Sequence, residues 1–140
     1  MFSKILVGFD GSEGSRKALR AALDLTKAGP SEVWAVAVLE HLPRYAASIG
    51  EVEEVRTQGR EYLREVLAGA QALAAEQNLP LQVDIVAGQP ADALSRHAAA
   101  RGFDLIVVGH SGHSGVWGTF LGSTADKLVR HAPCSVLVVR

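Results

Sequence analysis

Short apolar runs and longer periodic segments alternate along the whole chain. Lys4–Gly8, Val33–Leu39, Leu81–Ala87, Leu105–Val108 and Ser135–Val139 are rich in Val, Ile and Leu, and several are apolar almost without interruption. That pattern predicts strands covered on both faces, as in a parallel sheet. The segments between them repeat at helical spacing. Ser15–Ala28 puts Leu19, Ala22 and Leu23 on one face, and about Glu51–Gln77 does the same with Val55, Tyr62, Val66 and Leu73. Pro90–Arg101 carries Pro in its first turn and Gly102 just past its end, and Ser123–His131 stops near Pro133.

Five strands alternating with four helices imply βαβ units and an α/β fold: an open parallel sheet with helices on both faces. Ligands of such sheets bind beyond the carboxyl ends of the strands, where the strand order reverses. Two strand ends carry unusual residues, Gly8-Phe9-Asp10-Gly11-Ser12 after the first and Gly109 onward after the fourth. These loops face each other if strands one and four are neighbours, as in the order 3-2-1-4-5, which periodicity alone leaves open. Glu40–Gly50, with Pro43, is the least regular stretch and is expected as a mobile loop beside the second strand's end.

Composition narrows the possibilities. A chain of 140 residues reads as a single domain, 1–140, and 48% hydrophobic residues exclude a disordered one. A net charge of −1 with no basic run gives no electrostatic case for nucleic acid or an anionic membrane. No stretch approaches the roughly 18 apolar residues of a membrane helix, and Met1–Val7 is too short for a signal peptide. The single cysteine, Cys134, excludes an internal disulfide and is expected as a small buried hydrophobe; a cytoplasmic location is the default.

The chemistry concentrates in the spacing Gly109-x2-Gly112-x9-Gly122-Ser123-Thr124. Glycines at a strand end let backbone approach a bulky ligand, and unpaired N–H groups at a helix start favour phosphate. The loop carries no Lys or Arg, so phosphate must meet amide dipoles, a metal, or His110 and His113, with Ser111, Ser114 and Thr119 as further donors. Lys127 and Arg130, a turn or more into the last helix, are expected to face solvent, as are His97 and His131. Trp117 and Phe120 would anchor the loop, and His41, Pro43 and Tyr45 could form a lid. Asp10 reads either as a turn former or as a functional carboxylate. Beside phosphates a carboxylate needs a sugar hydroxyl or a metal, which argues for Mg²⁺. There is no Gly-x4-Gly-Lys-Ser/Thr, so this is not a P-loop protein. A phospho-acceptor receiver domain needs an Asp where this chain has Val86-Ala87-Gly88.

Asp10, Gly88-x-Pro90, Asp104-Leu-Ile-Val-Val-Gly109 and the glycine spacing together resemble the universal stress protein family, over essentially the whole length. The resemblance implies a Rossmann-like sheet of order 3-2-1-4-5, similar to the adenine nucleotide alpha hydrolase architecture. It implies the ATP-binding branch and a homodimer paired through the last strand, whose run Val136–Val139 would be an apolar sheet edge. Its nucleotide contacts map onto Gly8 and Phe9 at the base and Asp10 at the ribose or a metal–phosphate group. Val38 would offer its backbone to adenine, Val108 and Gly109 would pack at the ribose, and Gly112, Gly122, Ser123 and Thr124 would hold the phosphates. Three functions follow for test: an ATP-binding regulatory protein, a slow ATP hydrolase or nucleotidyl-transfer enzyme, and a dimeric interaction module with an incidental nucleotide. No convincing general base is in view, which favours binding over turnover.

Overall fold

Alternate residues of the strands turn to opposite faces of one sheet, and both faces are buried. The computed structural model describes residues 1–40, 49–111 and 121–140. Strands β1 (Lys4–Gly8), β2 (Glu32–Leu39), β3 (Gln82–Ala87), β4 (Leu105–Gly109) and β5 (Ser135–Val139) alternate with helices α1 (Glu13–Leu25), α2 (Ile49–Glu76), α3 (Pro90–Arg101) and α4 (Ser123–His131). The sheet has the order β3-β2-β1-β4-β5, and every pairing is parallel. Ile5 and Val7 of β1, with Ala35 and Val107 beside them, pack under α1 and α2. Leu6, Val36 and Ile106 point the other way, against α3 and α4. The two-residue period of a strand thus builds two cores from one apolar run.

The predicted elements are present with shifted ends. Helix α1 starts at Glu13 because Ser12 caps it, its hydroxyl accepting from the Ser15 N–H at 3.2 Å. It ends at Leu25, and Thr26–Ala28 continue as a single tighter turn. Gly102 closes α3 at φ +73°, a left-handed position that glycine fills without strain. Helix α2 takes in Ile49 and Gly50, which the sequence assigned to a loop; the rest of that segment up to Ser48 lies outside the described residues, apart from Glu40. Its apolar stripe also buries only in part. Leu67, Ala70, Leu73 and Ala74 are in the core, whereas Val55 and Tyr62 are 46% and 60% exposed.

At the amino ends of the strands several polar groups satisfy one another, while Gln77 Oε1 and His97 Nε2 are buried without a hydrogen-bond partner among the described residues. The Asp104 carboxylate accepts from the Ser3 N–H and hydroxyl at 2.9 Å and from the Lys4 N–H at 3.0 Å. Burial pushes this carboxyl up, and those hydrogen bonds outweigh it, leaving its pKa below the ordinary value. Lys4 Nζ donates to the Arg101 carbonyl at 2.5 Å and lies 4.7 Å from the centre of the Phe103 ring. His97 belongs to this cluster, not to the open surface expected of it. Its side chain is 12% exposed, tilted against Phe103, with Nε2 3.5 Å from Asp84. Burial lowers its pKa; Asp84 opposes that shift, while Arg101 and Lys4 add to it. Cys134 is half-buried, and burial raises its thiol pKa.

Candidate functional site

The carboxyl ends of the strands surround a cavity of about 800 Å³, within the size range of small-molecule sites. It sits where β1 and β4 lie side by side and their connections leave in opposite directions, to β2 and to β5. Gly8, Phe9, Asp10, Ser12 and Ser15 form one wall, and Val108, Gly109 and Ser111 another. Val36, Val38 and Glu40 contribute from β2 and its end, and Gln89, Pro90, Ala91, Asp92 and Leu94 from α3 and the turn before it. Gly122, Ser123, Thr124, Ala125 and Lys127 close the site from α4, with Tyr62 and Leu63 of α2 at its border.

At the end of β1 the chain turns sharply into α1. The Ser12 N–H donates to Asp10 Oδ1 at 2.9 Å, so the turn role of Asp10 is realised while the residue also lines the cavity. Gly11, at φ +84°, completes that turn. Phe9 is 3% exposed and packs into the core under α1 and α2; its N–H donates to the Val36 carbonyl at 2.9 Å. It therefore meets the cavity as a buried core residue.

The end of β4 adds a second reason for its glycine. A Cβ on Gly109 would stand 2.7 Å from the carbonyl carbon of Gly14, and a Cβ on Gly14 would stand 2.7 Å from the Ser111 oxygen. Gly109 is small because the first turn of α1 presses on it, backbone to backbone. Gly14 was missed from the sequence, since nothing local marks a glycine whose partner is in another element. His110 does not reach the cavity. Its N–H donates to the Val139 carbonyl, its carbonyl accepts from the Gly122 N–H, and its Nε2 is 3.4 Å from the Arg140 guanidinium. Ser111 does reach it: the residue is 3% exposed, and its Oγ is without a hydrogen-bond partner among the described residues.

The N-cap of α4 is Gly122, which has no side chain with which to occupy the first N–H groups. The Gln89 side chain does not cap α3 either. Both helices begin at the cavity wall, so backbone donors face the space and the helix dipoles add partial positive charge. Lys127 is exposed, as expected, and it also borders the cavity. It lies four residues after Ser123, which places the two on one helix face. That spacing was readable in the sequence. The charged lining residues among those described are Asp10, Glu40, Asp92 and Lys127. Asp92 is paired with Arg96 at 2.6 Å.

Of the residues singled out from the sequence, Gly8, Phe9, Asp10, Val38, Val108, Gly109, Ser111, Gly122, Ser123 and Thr124 are brought together around one space. Gly112 and His113 lie outside the described residues, as do Ser114, Trp117, Thr119, Phe120 and the lid candidates His41, Pro43 and Tyr45. Among the described residues no group of three His, Cys, Asp or Glu side chains could hold a metal ion. A Mg²⁺ here would arrive on ligand phosphates and take at most one or two carboxylates, its usual mode with nucleotides.

Known proteins align with the chain from end to end. A universal stress protein from Thermus aquaticus is 37% identical over 145 residues, covering 100% of both chains. The structure of a universal stress protein UspA from Lactobacillus plantarum superposes with a TM-score of 0.86 at 24% identity, covering 99% of this chain and 98% of that one. A crystal structure of a universal stress protein in complex with cAMP gives a TM-score of 0.76 at 25% identity, covering 99% and 97%. The model of the universal stress protein family matches residues 1–140, and the chain belongs to that family.

Proposed function

We propose that this protein is an adenine-nucleotide-binding regulator that holds ATP, with Mg²⁺ on the phosphates, and acts by binding and conformational signalling. The observation that carries the reading is the cavity where strand order reverses, lined by the first residues of α3 and α4 and by the buried Ser111. A family relative solved with cAMP is consistent with it. In this reading Val38 meets the base through its backbone and Asp10 meets the ribose or the metal. Gly122, Ser123 and Thr124 meet the phosphates. Binding is favoured over turnover because Asp10 Oδ1 accepts the Ser12 N–H and serves a turn, rather than standing ready to activate water.

The reading includes a cytoplasmic homodimer paired through β5. That strand pairs with β4 on one side and is the last in the sheet, with Leu137 37% exposed. An apolar edge of this kind favours strand pairing. Calorimetry with ATP and Mg²⁺, together with mass spectrometry of nucleotide released from protein purified without added ligand, tests the function. Binding in the micromolar range, with an adenine nucleotide among the released species, is the expected result. No heat up to millimolar ligand would overturn it. Sedimentation at micromolar protein tests the dimer, and a monomer there counts against edge pairing.

A further inference from the structure

Among the described residues that line the cavity there is one cationic side chain, Lys127, against the three carboxylates Asp10, Glu40 and Asp92. Its position on α4 gives it a direction. Helix side chains lean toward the N-terminus, and four residues of helix rise about 6 Å, a span the four-carbon lysine stem covers. A stem of that length can bring the ammonium to the level of Ser123 and Thr124, where the helix begins at the cavity wall.

Lys127 is exposed to solvent on its outer side and forms no ion pair among the described residues, whereas Arg130 on the same helix is held by Asp126 at 3.2 Å. A cation near a helix N-terminus is opposed by the dipole, and an anion there reverses the balance. Ser111 supplies an independent sign of a ligand in the same space, because its hydroxyl is enclosed and unpartnered among the described residues.

We propose that Lys127 reads the phosphate charge of the ligand and so sets which nucleotides this cavity holds. The proposal rests on the nucleotide reading above and adds to it a residue and a charge class. One ammonium and the roughly half charge of a helix terminus offset the one to two negative charges of a phosphate group at the α4 end of the cavity, while Asp10, Glu40 and Asp92 leave no charge to spare for more. A longer phosphate chain must bring its own cation.

Calorimetry of the wild type, K127Q and K127R with adenosine, AMP and Mg²⁺–ATP tests it. Adenosine should bind all three alike, which also shows that the variants are folded. AMP should bind K127Q about tenfold more weakly, the loss of one charge-assisted contact, and K127R within about threefold of wild type. Added salt should weaken AMP binding to the wild type more than to K127Q. Equal AMP affinity for wild type and K127Q would overturn the role of Lys127 and leave the nucleotide reading standing. Equal loss of adenosine and AMP in K127Q would show that the lysine shapes the cavity without reading charge, and would also overturn it. Failure of the wild type to bind any of the three would overturn both readings.

Discussion

The two ends of this sheet differ in how their helices begin and their polar groups meet, although each holds buried polar atoms without a partner among the described residues. At the amino ends, carboxylates, hydroxyls and ammonium groups meet one another. Asp104 takes three hydrogen bonds from Ser3 and Lys4, and Glu32 accepts from Trp34 and Gln82. At the carboxyl ends, α4 and α3 begin without side-chain caps, and the Ser111 hydroxyl has no partner among the described residues. A buried polar group left without a partner costs about 1–3 kcal/mol, so an end built this way is stabilised when something polar enters. One end closes the fold. The other is shaped for a visitor.

The carboxyl end is nevertheless not soft, and the largest predicted effect tests that. Gly109→Ala puts a methyl group 2.7 Å from backbone atoms of α1, which cannot rotate away as a side chain would. Strain of this kind should destabilise by about 3 kcal/mol, the upper range for overpacking. Denaturant unfolding should show it as a lower midpoint with an unchanged slope. Gly8→Ala, whose contacts are the side-chain tips of Leu94 and Val108 at 3.1 Å, should lose clearly less. Equal losses would mean that the α1–β4 approach is not the rigid feature of this end.

A smaller effect belongs to the amino end. Asp104→Ala removes an acceptor from Ser3 and Lys4, and partial exposure limits the loss to about 1–2 kcal/mol near neutral pH. The pH dependence has a definite sign. The folded pKa of Asp104 lies below its usual value of 3.8, so the unfolded chain binds the proton more readily. The stabilisation is therefore complete above that value and disappears as pH falls through the folded pKa. Unfolding curves of the wild type and the variant should converge in strong acid. A gap that persists there would place the effect in packing rather than charge.

Much of this contrast was legible in the sequence because it depends on local pattern. The two-residue alternation of Ile5, Leu6 and Val7 requires cover on both sides, and Gly102 after Arg101 marks a helix end. Features that depend on a distant partner were not legible. Gly109 read as space for a ligand, yet its virtual Cβ points at Gly14, some 95 positions away in the chain. His97 read as a helix-surface residue; Phe103 and Asp84, from outside α3, cover it. Tyr62 has the helical spacing of the stripe, but it is 60% exposed and borders the cavity instead of entering the core. Lys127 is the instructive case. The loop without cations drew attention to Gly109–Gly122, and the cation stood one helical turn beyond it.

The finest distinction between the two ends is a single oxygen. Removing a satisfied hydroxyl from the amino end should lower stability, whereas Ser111→Ala removes one without a partner among the described residues. Losing an unsatisfied buried polar atom is neutral to stabilising, so the free variant should unfold within about 1 kcal/mol of the wild type or slightly above it. If the cavity holds a nucleotide, the same substitution should weaken binding several-fold, the size of one hydrogen bond. Stability and affinity then move in opposite directions, which neither a packing residue nor a surface residue would produce. Thermal unfolding with and without saturating AMP reads both quantities, because the ligand-induced rise in Tm reports affinity directly. A Ser111→Ala protein that unfolds several degrees lower, with an unchanged shift on adding AMP, would make Ser111 part of the scaffold, and the carboxyl end would then be closed like the other.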